Sequence, residues 1–136
     1  MPRKLSEFIP EVKEALDKGM AEFLVKTQGK LATKNPKDTG RMASSWYIGK
    51  DKPDRSERPE NWAAPGSKRV ESPDPPGKIE YDGTWYISNN LPYAERVALD
   101  PIYAKGGAGG AAWYNNVVTQ LNDDLGRIME KKLRRI

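Results

Sequence analysis

Apolar residues recur at three- and four-residue steps through the first quarter of the chain: Leu5, Phe8, Ile9, Val12, Leu16, Met20, Phe23, Leu24, Thr27 and Leu31. Glu7, Glu11, Lys13, Glu14, Lys18, Glu22 and Lys26 fall between them, so the pattern predicts an amphipathic helix with a charged outer face. Glu14 with Lys18 and Glu22 with Lys26 are favourably ordered i,i+4 pairs. Pro10 suits the first turn of a helix capped near Ser6 or beginning at Ile9, not a helix interior. Gly19 weakens the middle by about 1 kcal/mol unless close packing requires it. A second stripe predicts a C-terminal helix: Tyr114, Val117, Val118, Leu121, Leu125, Ile128, Met129 and Leu133. Asp123, Asp124, Arg127, Lys131, Arg134 and Arg135 lie largely off that stripe, and Gly126 sits inside it.

Between the helices the period changes. KNPKDTG, residues 34–40, is a break in which Asp38 or Thr39 can bond nearby backbone and Gly40 accepts dihedrals that other residues resist. Arg41 to Ser45 reads as a helical turn leading into a strand around Trp46 and Ile48. Residues 50–83 hold six of the eleven prolines and dense mixed charge, which predicts a long excursion with one edge strand near Lys68–Glu71. Trp62, Val70 and Ile79 are its scarce apolar anchors, expected to lay the segment as an arm on a neighbouring copy, the alternative being an idle, mobile linker. Thr84 to Ser88 is a strand ending at the turn signal Asn89-Asn90, and Leu91 to Leu99 is a short helix with Pro92 in its first turn. Ala104 to Ala112 is a glycine patch that is flexible or closely approached by backbone; it lacks the spacing of a phosphate loop. The expected fold is α+β: a single domain over 1–136, with two long amphipathic helices packed on a small, mostly antiparallel sheet and a long proline-rich loop.

Composition narrows the chemistry. The 136 residues contain no cysteine and no histidine, so disulfides, thiolate or imidazole zinc sites, cysteine nucleophiles and histidine general bases are excluded. The apolar fraction is 37%, so much of the chain is expected as loop, arm or contact surface. MPRKLSEFIPEV has no apolar run behind its basic residues, and nowhere do about 18 consecutive apolar residues suggest a membrane span. A cytoplasmic origin before assembly is the expectation. The net charge of +4 is spread along the chain, with one basic concentration in RIMEKKLRRI. That tail fits the solvated end of a helix, where cations suit the macrodipole, or a face turned to nucleic acid.

The carboxylates do not form a convincing site. Asp38, Asp51 and Asp54 lack the alternating spacing of a calcium loop. Asp123 and Asp124 point roughly 100° apart on a helix, so with Glu130 they do not read as a two-metal centre. Asp38, Thr39 and Arg41 read as a capping turn, with the arginine paired to a carboxylate or meeting a neighbouring subunit. Trp46-Tyr47, Trp85-Tyr86 and Trp113-Tyr114 would each, on a strand, place one ring on either face. Few basic residues flank them, so a base-stacking surface is not expected. The expectation is a protein without catalytic residues, metal or cofactor.

Two stretches carry more information than composition. NPKDTGRMASSW, residues 35–46, and WYISNNLPYAERVALD, residues 85–100, resemble the tail-completion or neck proteins of long-tailed, non-contractile bacteriophages and prophages. The matching positions are Pro36, Asp38, Thr39, Gly40, Arg41, Ser45 and Trp46, then Asn89, Asn90, Pro92, Tyr93, Ala94, Glu95 and Arg96. The chain departs from that family in VALDP and in GGAGGAAWYNN, which bear on the contacts of residues 99–112. The resemblance implies a virion protein made in the host cytoplasm and forming a homo-oligomeric ring, commonly hexameric. Such a ring completes the tail, or terminates it, and joins it to the head connector or stopper; its partners are the tail-tube or terminator protein. Genomic DNA would pass with transient, non-specific contact, and no membrane is involved. On this reading Asp38, Thr39, Gly40, Arg41, Trp46, Trp62, Asn89, Pro92, Tyr93, Glu95 and Arg96 are structural or interface residues. Arg127, Lys131, Lys132, Arg134 and Arg135 are candidates to face DNA. The rival expectation is a small basic nucleic-acid-binding module, resting on the C-terminus and a pI near 9.2.

Overall fold

The computed structural model describes residues 5–37, 40–64, 66–100 and 112–136. Helix α1 (Leu5–Lys34) is followed by strand β1 (Tyr47–Lys50), strand β2 (Trp85–Ser88) and three helices: α2 (Ala94–Leu99), α3 (Trp113–Thr119) and α4 (Leu121–Leu133). The result is a small α+β domain, several helices packed with one short antiparallel sheet. Asp38, Thr39 and nearly all of the glycine patch, 104–111, lie outside the described residues.

α1 begins earlier than Pro10 suggested, so that proline lies inside the helix. The missing N–H leaves the Ser6 carbonyl without its helical donor, but residues 6–11 are all exposed and water can serve it. Phe8 and Ile9, expected on the buried stripe, are 44% and 56% exposed; burial starts at Val12 and deepens at Leu24 and Leu31. The C-terminal half of α1 runs antiparallel to α4, since Gly19 meets Met129 and Lys132 while Lys30 reaches Asp124. A β-carbon at Gly19 would stand 2.5 Å from the Met129 sulfur, so close helix packing is the reason for this glycine. Gly126, on the outer side of α4, meets nothing within 4 Å.

The expected C-terminal helix is divided at Gln120. The division lets two neighbouring segments address different partners. Trp113 and Val117 of α3 enter the central cluster with Leu31, Met42, Trp46, Leu91, Ala94 and Ala98, whereas Ile128 of α4 packs towards α1. Three rings fix this cluster: Trp46 meets Trp113 edge-on at 6.2 Å and stacks on Tyr114 at 6.1 Å. Such pairs contribute roughly 0.5–1.5 kcal/mol beyond burial.

The sheet pairs Tyr47 with Ser88, Ile48 with Ile87, Gly49 with Tyr86 and Lys50 with Trp85. Two strands of four residues are too few to stand alone in water. They are held because Ile48 is buried and Ile87 packs on the central cluster. The Arg41–Ser45 turn forms as expected, closed by Ser44 N–H to the Gly40 carbonyl at 2.9 Å. The strand expected at Lys68–Glu71 is absent: Lys68 has φ +53°, and Glu71 N–H and the Arg69 carbonyl bond the Ser44 hydroxyl instead of a ladder. Residues 51–84 carry no helix or strand among those described, and they wrap their own domain.

Gly40 marks where that wrap presses hardest. Its φ is +85°, and an added β-carbon would lie 1.7 Å from the Arg69 carbonyl oxygen. We expect Gly40→Ala to cost roughly 2–4 kcal/mol in urea unfolding, combining left-handed strain with a backbone clash. Gly126→Ala should instead stabilise by up to about 1 kcal/mol, because it adds helix propensity and meets no neighbour.

Candidate functional site: a hydrogen-bonded hub and a basic helix groove

The described residues of 35–46 form no regular ladder, yet Asn35, Ser44 and Ser45 are fully buried and Met42, Ala43 and Trp46 nearly so. The amides of Asn35, Ser44 and Ser45 are met by backbone carbonyls, and much of what remains must be met by side chains. Trp46 Nε1 donates to Asn35 Oδ1 at 3.0 Å, and Gln28 Nε2, from α1, donates to the Trp46 and Pro73 carbonyls at 2.7 and 3.2 Å. Ser45 Oγ donates to the Arg41 carbonyl and accepts from Arg58 N–H at 3.1 Å. Arg58 Nε donates to the Ser44 carbonyl. Among the described residues no buried side-chain nitrogen or oxygen lacks a partner.

The two stretches singled out in the sequence meet here. Asn89 Nδ2 donates to the Met42 carbonyl at 2.8 Å, and Asn89 Oδ1 accepts from Leu91 N–H, so one amide ties the turn after β2 to the turn before β1. Arg41 pairs with Glu57 at 3.3 Å, as a carboxylate partner was expected; its Nε donates to the Arg58 carbonyl, and its side chain is only 13% exposed. Trp62, expected on a neighbouring copy, is buried in its own chain instead. Its ring lies between two guanidinium groups, Arg69 at 3.7 Å and Arg58 at 4.4 Å, and its Nε1 donates to the Arg69 carbonyl. Stacking both arginines on one indole is what draws this anchor inwards. Pro92, Tyr93, Glu95 and Arg96 point the other way: all four are exposed at the start of α2, where most of them line a shallow depression with Leu99 and Asp100.

The basic candidates divide on inspection. Lys132 turns inwards to Glu22 at 3.6 Å, and Arg134 is tied to Glu130 within its own helix. Arg127 is 75% exposed beside Asp124, while Lys131 and Arg135 are exposed and make no ion pair among the described residues. Arg127 and Lys131 line a groove between α4 and α1 whose opposite wall is Lys26 and Lys30, of which the sequence pattern marked only Lys26, as part of a charged outer face. Their signal was present as an i,i+4 basic pair, matched by Arg127 and Lys131 at the same spacing. Gln28 and Asn35 were also missed. Gln28 left only a weak trace, an amide beside an apolar stripe.

No group of three carboxylate, histidine or cysteine residues lies together among the described residues. No helix among them is long and apolar enough to cross a membrane. Compared with known proteins, the chain matches no family model, no curated protein and no solved structure.

A second ionic cluster pins the end of the wrap to α1. Lys13 Nζ bridges Asp17 at 2.9 Å and Glu80 at 3.3 Å, and Asp17 Oδ1 accepts from Tyr81 N–H at 2.9 Å. Bonding to Lys13, then to the Tyr81 amide, holds the Asp17 carboxyl below its ordinary 3.8. Lys13, then Lys78, does the same for Glu80 below 4.5. Bonds to Asp17 and Glu80 raise Lys13 above 10.5. Depressed carboxylates contribute stability that is full above their unfolded values and lost as pH falls through the folded ones. The raised lysine contributes below 10.5 and loses its share as pH climbs through its folded value. Protection of the Tyr81 amide from hydrogen exchange should therefore be flat from about pH 5 to 10 and fall beyond either limit. In Asp17→Asn the acid-side fall should shrink, because the amide oxygen still accepts from Tyr81 N–H without titrating and only Glu80 is left to respond.

Proposed function

We propose that this chain is a structural subunit of a long-tailed phage virion, assembling into a ring that completes the tail and joins it to the head connector. One observation supports the reading above others. The stretches 35–46 and 85–100, on which the family resemblance rests, are far apart in sequence, yet the Asn89 amide and the Trp46–Leu91–Ala94 cluster make them one structural unit. Residues that look like a family signature thus have a shared physical task, building a hub that presents Pro92, Tyr93, Glu95 and Arg96 outwards.

On this reading the architecture is that of two long amphipathic helices, α1 and the α3–α4 pair, on a small sheet with a long proline-rich loop. The chain acts by shape and uses no catalytic residue, metal or cofactor. Copies associate through a heterologous contact that closes by rotation, six being the expected number. Exposed Tyr93 and Leu99, 39% and 53% open, supply apolar surface for such a contact beside the charged pair Glu95 and Arg96. The partners are the tail-tube or terminator protein on one side and the connector or stopper protein on the other. Assembly takes place in the host cytoplasm and the product resides in the virion, at the neck.

Electron microscopy of particles made without this subunit tests the proposal. Tails of normal length beside unattached heads are the expected outcome. Overlong tails would reassign the ring to tail termination, and intact joined virions would overturn both roles.

A further inference from the structure

We infer that the groove between α1 and α4 binds the phosphodiester backbone of DNA through Lys26, Lys30, Arg127 and Lys131. This deepens the DNA contact that the family resemblance implies and rests on the proposed ring, but it moves the contact off the C-terminal tail. Lys26 and Lys30 stand on one wall, Arg127 and Lys131 on the other, with Phe23, Thr27 and Ile128 between them. Within each wall the cations are one helical turn apart, about 6 Å along the axis. The antiparallel helices keep the two rows side by side along the groove.

The arrangement favours a linear polyanion over a small one. Its cations are spread in rows along the two helices instead of converging on a point. The side chains of Lys26 and Arg127 are 63% and 75% exposed, so they can follow successive charges without prior ordering. Two carboxylates share the groove, and both are occupied: Asp124 by Lys30 and Arg127, Glu22 by Lys26 and the inward-turned Lys132. They orient the cations, and Lys132 offsets the charge of Glu22 from below. The remaining surplus is positive, and its contact with a phosphate chain needs no base recognition. The predominantly apolar floor gives a carboxylate-rich peptide few hydrogen-bond partners, whereas deoxyribose faces can lie against it.

Binding of the full chain to a fluorescent 20-base-pair duplex tests the assignment. At about 50 mM salt the chain should bind, and the logarithm of its affinity should fall with that of salt concentration at a slope of roughly −2 to −4. Lys26→Glu with Lys131→Glu should weaken binding at least about tenfold and flatten that slope by one to two units. Arg134→Glu with Arg135→Glu changes the net charge equally but lies off the groove, and should alter affinity less than about threefold. Circular dichroism confirms that both variants fold, since all four side chains are exposed. Absence of duplex binding, equal loss in the two variants, or displacement by polyglutamate at matched charge would each overturn the groove. A chain that fails this test while its removal still detaches tails from heads would lose the groove and keep the ring.

Discussion

The structure depends on satisfying buried backbone that has no secondary structure to satisfy it. Among the described residues only eight form strands, so Asn35 and the stretch from Met42 to Trp46 are buried without a ladder. An amide group left unpaired there would cost roughly 1–3 kcal/mol. Gln28, Asn35, Ser44, Ser45 and Asn89 each supply one or two bonds, and together they convert an irregular turn into a fixed frame. Trp46 is the centre of it, giving its indole N–H to Asn35 and its ring faces and edges to Trp113 and Tyr114.

That frame explains the long proline-rich segment. Proline lacks a donor and resists both helix and central strand, so residues 51–84 cannot build an element of their own. They serve as a supply of backbone groups for the hub: the carbonyls of Arg58, Arg69 and Pro73 and the amides of Arg58 and Glu71 all meet hub side chains. The segment is braced within itself where Arg58 and Arg69 lie over the Trp62 ring, and it is held once more by the Lys13–Asp17–Glu80 cluster at its far end. A loop fixed at so many points is part of the domain. Exposed apolar side chains remain on the segment itself, at Val70 and Tyr81, as well as on β2 at Tyr86, on α2 at Leu99 and in the first turns of α1.

This division bears on how such a small chain can act. With 37% apolar residues and a core concentrated around three aromatic rings, the domain has enough order to present rigid faces. Its exposed apolar residues include Phe8 and Ile9 in the first turns of α1, Tyr93 just before α2 and Leu99 at the end of α2. Rigid presentation of side chains for association is the physical content of the proposed virion role, and it needs no reacting group.

The sequence by itself determined that both ends are helical, the two strands and the turn at Arg41, because each rests on a local period or local backbone preference; it did not determine the early start of α1 or the division at Gln120. Helical spacing from Val12 to Leu31 and alternation in TWYIS survive any tertiary arrangement that buries one face. It also determined what chemistry is closed to the chain, since no fold restores histidine or cysteine. Only the tertiary structure decided which way Trp62 and Lys132 turn, that Lys68–Glu71 serves a serine instead of a ladder, and that Lys26 and Lys30 stand opposite Arg127 and Lys131. Those outcomes depend on partners tens of residues away. A side chain's periodic position fixes its face, whereas its hydrogen bonds and ion pairs are fixed by whatever the fold brings to that face.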